Sequence, residues 1–134
     1  MSQENVEIVR TAFAAFGSRG VDGVLDFYDP EIEWWDREDD PEAGVHRGHQ
    51  GVREAFAVLD EFVEFLIDPD ELIDAGDYVL APVRLRGRGR ASGVPFDERE
   101  VHVFRLRDGR IIELREYRTK SEALAAIGAF GCGE

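Results

Sequence analysis

The amino-acid sequence predicts an α+β domain in which helices pack on one face of a curved, mainly antiparallel sheet. Three observations carry that expectation. Apolar residues recur at helical spacing through the first third of the chain, and from Phe62 onward the period falls to two over long runs. The connections between those runs are short turns, so consecutive strands must be antiparallel neighbours. Helices laid on such a sheet leave a conical cavity between the two layers.

Val6, Val9, Phe13 and Phe16 mark a first helix behind Ser2 as candidate cap, and the stretch from Gly17 to Gly20 stops it. Val21, Val24, Leu25 and Tyr28 repeat the pattern until Asp29-Pro30 breaks it, which places Tyr28 near the end of a short second helix. Glu31 to Asp36 alternates as a short strand, and the acidic run from Arg37 to Glu42 reads as a loop able to act as a flexible lid. Beyond Gly48, the residues Val52, Ala55, Phe56, Leu59 and Val63 share one face of a third helix. Phe62 to Ile73, Tyr78 to Arg88, Phe96 to Arg107 and Arg110 to Arg118 are the long strands. Their turn signals are Ala75-Gly76-Asp77, Ser92-Gly93 and Asp108-Gly109. Thr119 to Glu122 fits a capping box before a last helical turn or two at Ala123, Leu124 and Ile127. No repeat or linker divides the chain. Residues 1–134 therefore read as one domain, with a core over 3–127 and a Gly-rich flexible tail over 128–134.

Charge narrows the partners. The chain carries 29 acidic against 16 basic residues, a formal net charge of −13. Phosphate backbones and anionic lipid surfaces reward clustered Lys and Arg, so neither nucleic acid nor membrane is expected as a partner. The balance is uneven: residues 1–77 hold 21 acids and 5 bases, residues 78–134 hold 8 acids and 11 bases. The start of the chain lacks the basic and apolar runs of a signal peptide, which makes cytoplasmic the default compartment. The single cysteine, Cys132, cannot form an internal disulfide and reads as an exposed thiol. Neither His46 nor His49 forms a metal signature with the acids before it, and there is no Gly-rich phosphate loop, Cys-His pair or Ser nucleophile motif. No metal and no cofactor is expected.

The order of elements, with "VDGVLDFYDPEIEWWD", "HRGHQGVREAF" and "VHVFRLRDGRIIELREY", resembles the SnoaL-like and ketosteroid-isomerase-like branch of the nuclear transport factor 2-like superfamily. The resemblance spans about residues 3–127. It implies a cone-shaped fold, three N-terminal helices on the sheet, an enclosed hydrophobic pocket and a homodimer joined through the outer sheet face. The scaffold hosts isomerases, cyclases, dehydratases, hydrolases and non-catalytic binders, so activity must be argued from the cavity.

Asp36 ends the first strand, as the general base of ketosteroid isomerases does, on the face shared by Trp34 and Ile32. Desolvation there would make a proton shuttle; in solvent it would simply join the acidic loop. His102 stands where the isomerases carry an acid that helps hold the dienolate oxygen, and imidazole can serve as donor or base. Phe104 and Leu106 share its face as cavity wall.

Glu116 depends on hairpin register. A three-residue turn over Arg107, Asp108 and Gly109 places Glu116 on the His102 side with Phe104, Ile112 and Leu114; a two-residue Asp108-Gly109 turn puts Arg115 there instead. The first is preferred because it keeps Ile112 and Leu114 inside. In SnoaL-type polyketide cyclases a His and an Asp occupy similar places, and Glu116 would replace that Asp. The oxyanion-hole tyrosines of the isomerases correspond to Ala12 and Phe56, which argues against a steroid isomerase. Tyr28 is either a core tyrosine or a hydroxyl donor from another direction. Arg84, Arg86, Arg88 and Arg90 alternate with Val83 and Leu85; the favoured register sends them to the outer face, the other makes Arg84 an anion clamp.

Two functions follow from one cavity. In the first, Asp36, His102 and Glu116 perform acid/base isomerisation, cyclisation, dehydration or hydrolysis on a hydrophobic cyclic or polyketide-like molecule that packs on Trp34, Phe104, Tyr28, Phe56 and Leu114. In the second, the cone binds a hydrophobic ligand without chemistry, or the chain is a dimerisation module. The sequence leaves open whether the protein is an enzyme.

Overall fold

Helix α1 (Ser2–Arg19) buries Val6, Val9 and Ala12 against the sheet, and Gly20, at φ 64°, ends it in a conformation that favours glycine. The computed structural model describes residues 2–41 and 43–131; the Ser2 side chain, its capping role and Cys132 lie outside them. Helix α2 (Val21–Leu25) is a five-residue turn that crosses α1 closely, with Gly23 against the Ala15 backbone. Strand β1 (Tyr28–Trp35) follows, then β2 (Val45–Arg47), α3 (Gly48–Ala57) and a 3-10 turn (Val58–Glu61). The remainder is β3 (Phe62–Pro69), β4 (Ile73–Ala75), β5 (Tyr78–Gly89), β6 (Pro95–Arg107), β7 (Arg110–Tyr117) and α4 (Lys120–Gly131).

The seven strands of the described residues form one sheet in the order β2-β1-β7-β6-β5-β3, with β4 also on β5. Pairing is antiparallel except for β1 with β7. Register shifts in β1, β3 and the β6–β7 hairpin bend the strands. On one face, Val79, Ala81, Val83, Phe104, Leu106 and Leu114 pack with α1, α2 and α3 in the larger core. On the other, Leu80, Val101 and Val103 are covered by Ala123 and Ile127 of α4. Thr119 caps α4 as its sequence suggests: Oγ1 accepts the Glu122 backbone N–H at 3.1 Å.

Several boundaries differ from the sequence reading. The described residues form four α-helices, three of them before β3. Tyr28 opens β1 opposite Ile111 rather than closing α2; the register then slips until Glu33, so Pro30, which has no N–H to donate, falls in the slipped span. Helix α3 stops at Ala57, and Val63 belongs to β3. The run from Phe62 to Ile73 is two strands, because the chain turns at Asp70, whose N–H reaches Pro82. The loop after Asp36 is anchored: Arg37 bonds Asp39 at 2.7 Å and reaches Glu100 at 3.5 Å. The last helix continues to Gly131, through part of the stretch expected as a flexible tail.

Arg84, Arg86 and Arg88 take the outward register and pair with Asp97, Asp68 and Glu64 of neighbouring strands, while Arg99 pairs with Asp70. Arg84 is therefore no anion clamp for the cavity.

Gly51 of α3 packs against β2: a Cβ there would lie 2.9 Å from the His46 carbonyl carbon. Gly51→Ala should destabilise by about 1–3 kcal/mol through this overpacking, read as a lower urea midpoint. An unchanged midpoint would mean that the β2–α3 corner yields freely.

Candidate active site

The sheet's alternation decides what enters the cone. On β6, Glu100, His102 and Phe104 share one face, and on β7 Leu114 and Glu116 lie beside them, with Phe104 opposite Leu114 and His102 opposite Glu116. The hairpin reaches this arrangement by an unexpected route. Asp108 and Gly109 both have positive φ (52° and 78°), and Arg107 pairs with Arg110, so the turn has two residues and turns every following side chain over. Between the pairs Leu106–Ile111 and Arg105–Glu113 one extra residue, Ile112, enters β7 and turns them back. Ile111, fully buried, thus fills the position expected for Ile112. Arg115 faces the other side, its guanidinium 4.1 Å from the centre of the Trp35 ring.

The cavity between this sheet face and the helices has a volume of about 380 Å³, within the range of small-molecule sites. Its apolar wall holds two groups of contacting rings: Phe16 stacks on Phe56 at 5.1 Å and Phe56 meets Trp34 edge-on at 5.1 Å, while Phe13 meets Phe104 at 5.7 Å. Ala12, Phe65, Ile67 and Leu85 also line it, and Asp40 and Glu54 are its exposed acidic members.

The polar floor centres on Glu116, whose side chain is 17% exposed. Trp34 Nε1–H donates to its Oε2 at 3.2 Å, and His102 Nε2 lies 3.8 Å from the same oxygen. Oε1 has no hydrogen bond from the described residues and is left to the cavity. Burial raises the Glu116 pKa, reinforced by the Glu100 and Asp36 carboxylates and opposed by His102 and the Trp34 bond, to about 7. His102, 5% exposed, holds its Nε2 at 2.7 Å from Glu100 Oε1. Burial works against its charge, but Glu100 and then Glu116 outweigh it and lift the imidazole above its usual pKa. Glu100 is likewise opposed by burial, yet His102 and Arg37 hold it below the usual carboxylate range.

The eight side chains expected to act on or hold a ligand line this cavity, namely Asp36, His102 and Glu116, and with them Trp34, Phe104, Tyr28, Phe56 and Leu114, whereas Leu106, expected as cavity wall, is buried in the core instead. Asp36 is more engaged than either of its sequence readings: Oδ2 contacts His46 Nε2 at 2.9 Å and accepts the Gly44 N–H at 3.3 Å. Tyr28 is 3% exposed, and its hydroxyl makes no hydrogen bond to the described residues. Burial and then Glu116 raise its pKa, which keeps it a neutral donor. Four further polar side chains line the cavity, the exposed Asp40 and Glu54 and the more enclosed Glu100 and His46. Glu100 was findable from period two, since it lies two residues before His102. His46 was not, because its place depends on the three-residue strand β2, where it pairs with Trp34.

Glu100, His102 and Glu116 could each offer one ligand atom to a metal ion, with those atoms within 4.8 Å of one another. Their close hydrogen bond and the Trp34 contact already account for the cluster as an acid/base pair of groups.

A cone of helices on a bent sheet, with acid/base groups under an aromatic wall, defines a nuclear transport factor 2-like cavity protein. The chain belongs to the SnoaL-like domain family, which matches residues 9–114. A nuclear transport factor 2-like protein from Burkholderia xenovorans is 30% identical, with 87% of this chain and 90% of that one covered at a TM-score of 0.71. Another, from Burkholderia thailandensis, is 29% identical over 91% of this chain and 95% of its own, at 0.76. A Jannaschia protein named as a SnoaL-like polyketide cyclase shares the fold at 24% identity and 0.75, covering 92% and 90%. No protein of curated function matches the chain in sequence.

The Glu116 shift has a signed consequence for stability. Its pKa rises from 4.5 to about 7 on folding, so its contribution is fully present below pH 4.5 and is lost as pH rises through about 7. Glu116→Gln should remove that loss: relative to the wild type, the variant gains on the order of 2–3 kcal/mol between pH 5 and 8. Urea denaturation across this range measures it, and parallel curves for the two proteins would refute the burial argument.

Proposed function

We propose that this SnoaL-like protein is an acid/base catalyst that moves a proton on a small, apolar, ring-shaped ligand, with Glu116 as the proton carrier. The observation that carries the reading is a buried carboxyl group with a pKa of about 7, one oxygen held by Trp34 and the other facing the cavity. Such a group is populated in both protonation states near neutral pH, which is where a proton shuttle works best. Glu116 gives a proton to one ligand atom and recovers one from another, so it ends each cycle unchanged. Isomerisation, cyclisation and dehydration all fit that balance.

The neighbours have distinct parts. Tyr28 Oη–H, buried without a partner among the described residues, donates to the ligand heteroatom. His102, fixed by Glu100, sets the charge beside Glu116 Oε2. Asp36 orients His46 at the same cavity wall. The apolar residues Ala12 and Phe56, in place of phenols, favour a second reading in which the cone only carries a ligand.

Exchange with solvent separates the two. In heavy water, cyclic ketones and enones that fit the cavity should gain deuterium beside the carbonyl, and Glu116→Gln should slow this at least 100-fold, as loss of an acid/base group does. Equal exchange by wild type and variant, or a bound ligand recovered without deuterium, removes the catalytic reading. The pH profile of kcat/KM should break near 7, and the break should vanish in the variant.

Tyr28→Phe should lower kcat by roughly 10- to 100-fold, near the lower end of what one lost donor costs. Its Tm should change little, because the hydroxyl has no partner among the described residues. A large fall in Tm with unchanged kcat would make Tyr28 a packing residue.

A further inference from the structure

The cavity is lined by five carboxylates, Asp36, Asp40, Glu54, Glu100 and Glu116, and by no Lys or Arg among the described residues. Its two imidazoles are each engaged by an acid, His46 by Asp36 and His102 by Glu100. The Arg37 guanidinium reaches Glu100 but does not line the cavity. On the sheet, Asp36 follows β1 beside the residue pair Trp35–Arg115, so Asp36, Glu116 and His102 continue one row across three strands. A ligand anion at Glu116 would meet this row with its one imidazole already shared. A ligand cation would meet carboxylate oxygens.

The rest of the lining favours the same sign. Aromatic rings attract cations through their faces, and Trp34, Phe56, Phe104 and Phe13 line the same cavity. Tyr28, itself only 3% exposed, has both Oη lone pairs free of the described residues, so it can accept an N–H as well as donate. Burying an ammonium is costly unless it is paired and hydrogen-bonded; here Glu116 Oε1 and Tyr28 Oη supply both.

We infer that the ligand of this cavity is an apolar ring system carrying a basic nitrogen, bound as its ammonium between Glu116 and Tyr28 under the aromatic wall. The inference takes from the proton-shuttle reading only that the ligand lies at Glu116: the ammonium donates to a lone pair of Tyr28 Oη and leaves the Oη–H for a separate acceptor on the ligand; it names the charge class of the substrate.

The adamantane series tests it, since its amine, alcohol and carboxylate share one apolar cage and differ in charge. Titration calorimetry of the full chain at neutral pH should give a Kd for adamantylamine at least tenfold below that for adamantanol. Adamantanecarboxylate should bind more weakly than either. In Glu116→Gln the advantage of the amine over the alcohol should shrink several-fold, although the rest of the acidic surface is unchanged. Carboxylate binding as tight as amine binding, an amine no tighter than the alcohol, or an amine advantage untouched in Glu116→Gln would each overturn the inference. The order of affinities is read without turnover, so its failure leaves the deuterium-exchange test of catalysis standing, and the converse holds as well.

Discussion

One extra residue in β7 decides what kind of cavity this protein has. The Asp108-Gly109 turn alone would present Arg115 to the helices and send Glu116 outward. The bulge at Ile112 reverses that, four residues before Glu116, and the whole floor depends on it. Arg115 stacking on Trp35 and bonding Glu113 at 3.1 Å holds the outward side of the same strand in place. A guanidinium and a carboxyl group are thereby sorted to opposite faces of one strand.

Once Glu116 is inside, the other polar groups follow from its desolvation. A buried carboxylate needs compensation or it takes up a proton. Here compensation is partial: Trp34 gives one hydrogen bond and His102 a charge at 3.8 Å, while Glu100 and Asp36 work in the opposite direction. Because His102 is drawn 1.1 Å closer to Glu100 than to Glu116, Glu100 takes most of the imidazole's charge and stays ionised. The asymmetry separates two neighbouring carboxyl groups, one held low and one raised to about 7. Paired titratable groups pushed apart in this way mark acid/base roles.

Much of this was legible in the sequence, and the failures have physical causes. Period two over the long strands gave the inner faces of β5 and β6 directly, hence His102 and Phe104 inside and the Arg row outside. The same rule contained Glu100, which lies on the His102 face. For Glu116 the sequence points to the right face through the wrong turn, since a three-residue turn and a two-residue turn with a bulge give the same parity beyond Ile112. Parity is all that alternation records. Tyr28 was assigned to a helix because its spacing from Leu25 fits both a helical turn and the start of a strand, and only pairing with Ile111 separates them. His46 and its bond to Asp36 depend on a partner strand of three residues, too short to carry any pattern of its own.

The same alternation explains how a strand half with three more bases than acids can wall an acidic cavity. From Tyr78 on, 11 bases face 8 acids in number, yet the strand guanidiniums of Arg84, Arg86, Arg88 and Arg99 lie with Asp97, Asp68, Glu64 and Asp70 on surface ion pairs. Such exposed pairs contribute little to stability individually. Their effect on the site is one of placement: cations are neutralised on the far side of the sheet, so little of their field reaches the floor. Inside, the low-dielectric wall of rings strengthens whatever charge remains. The excess of acids in the chain is therefore mostly a property of its surface, while the cavity draws its character from the few carboxyl groups that β1, β6 and β7 turn inward.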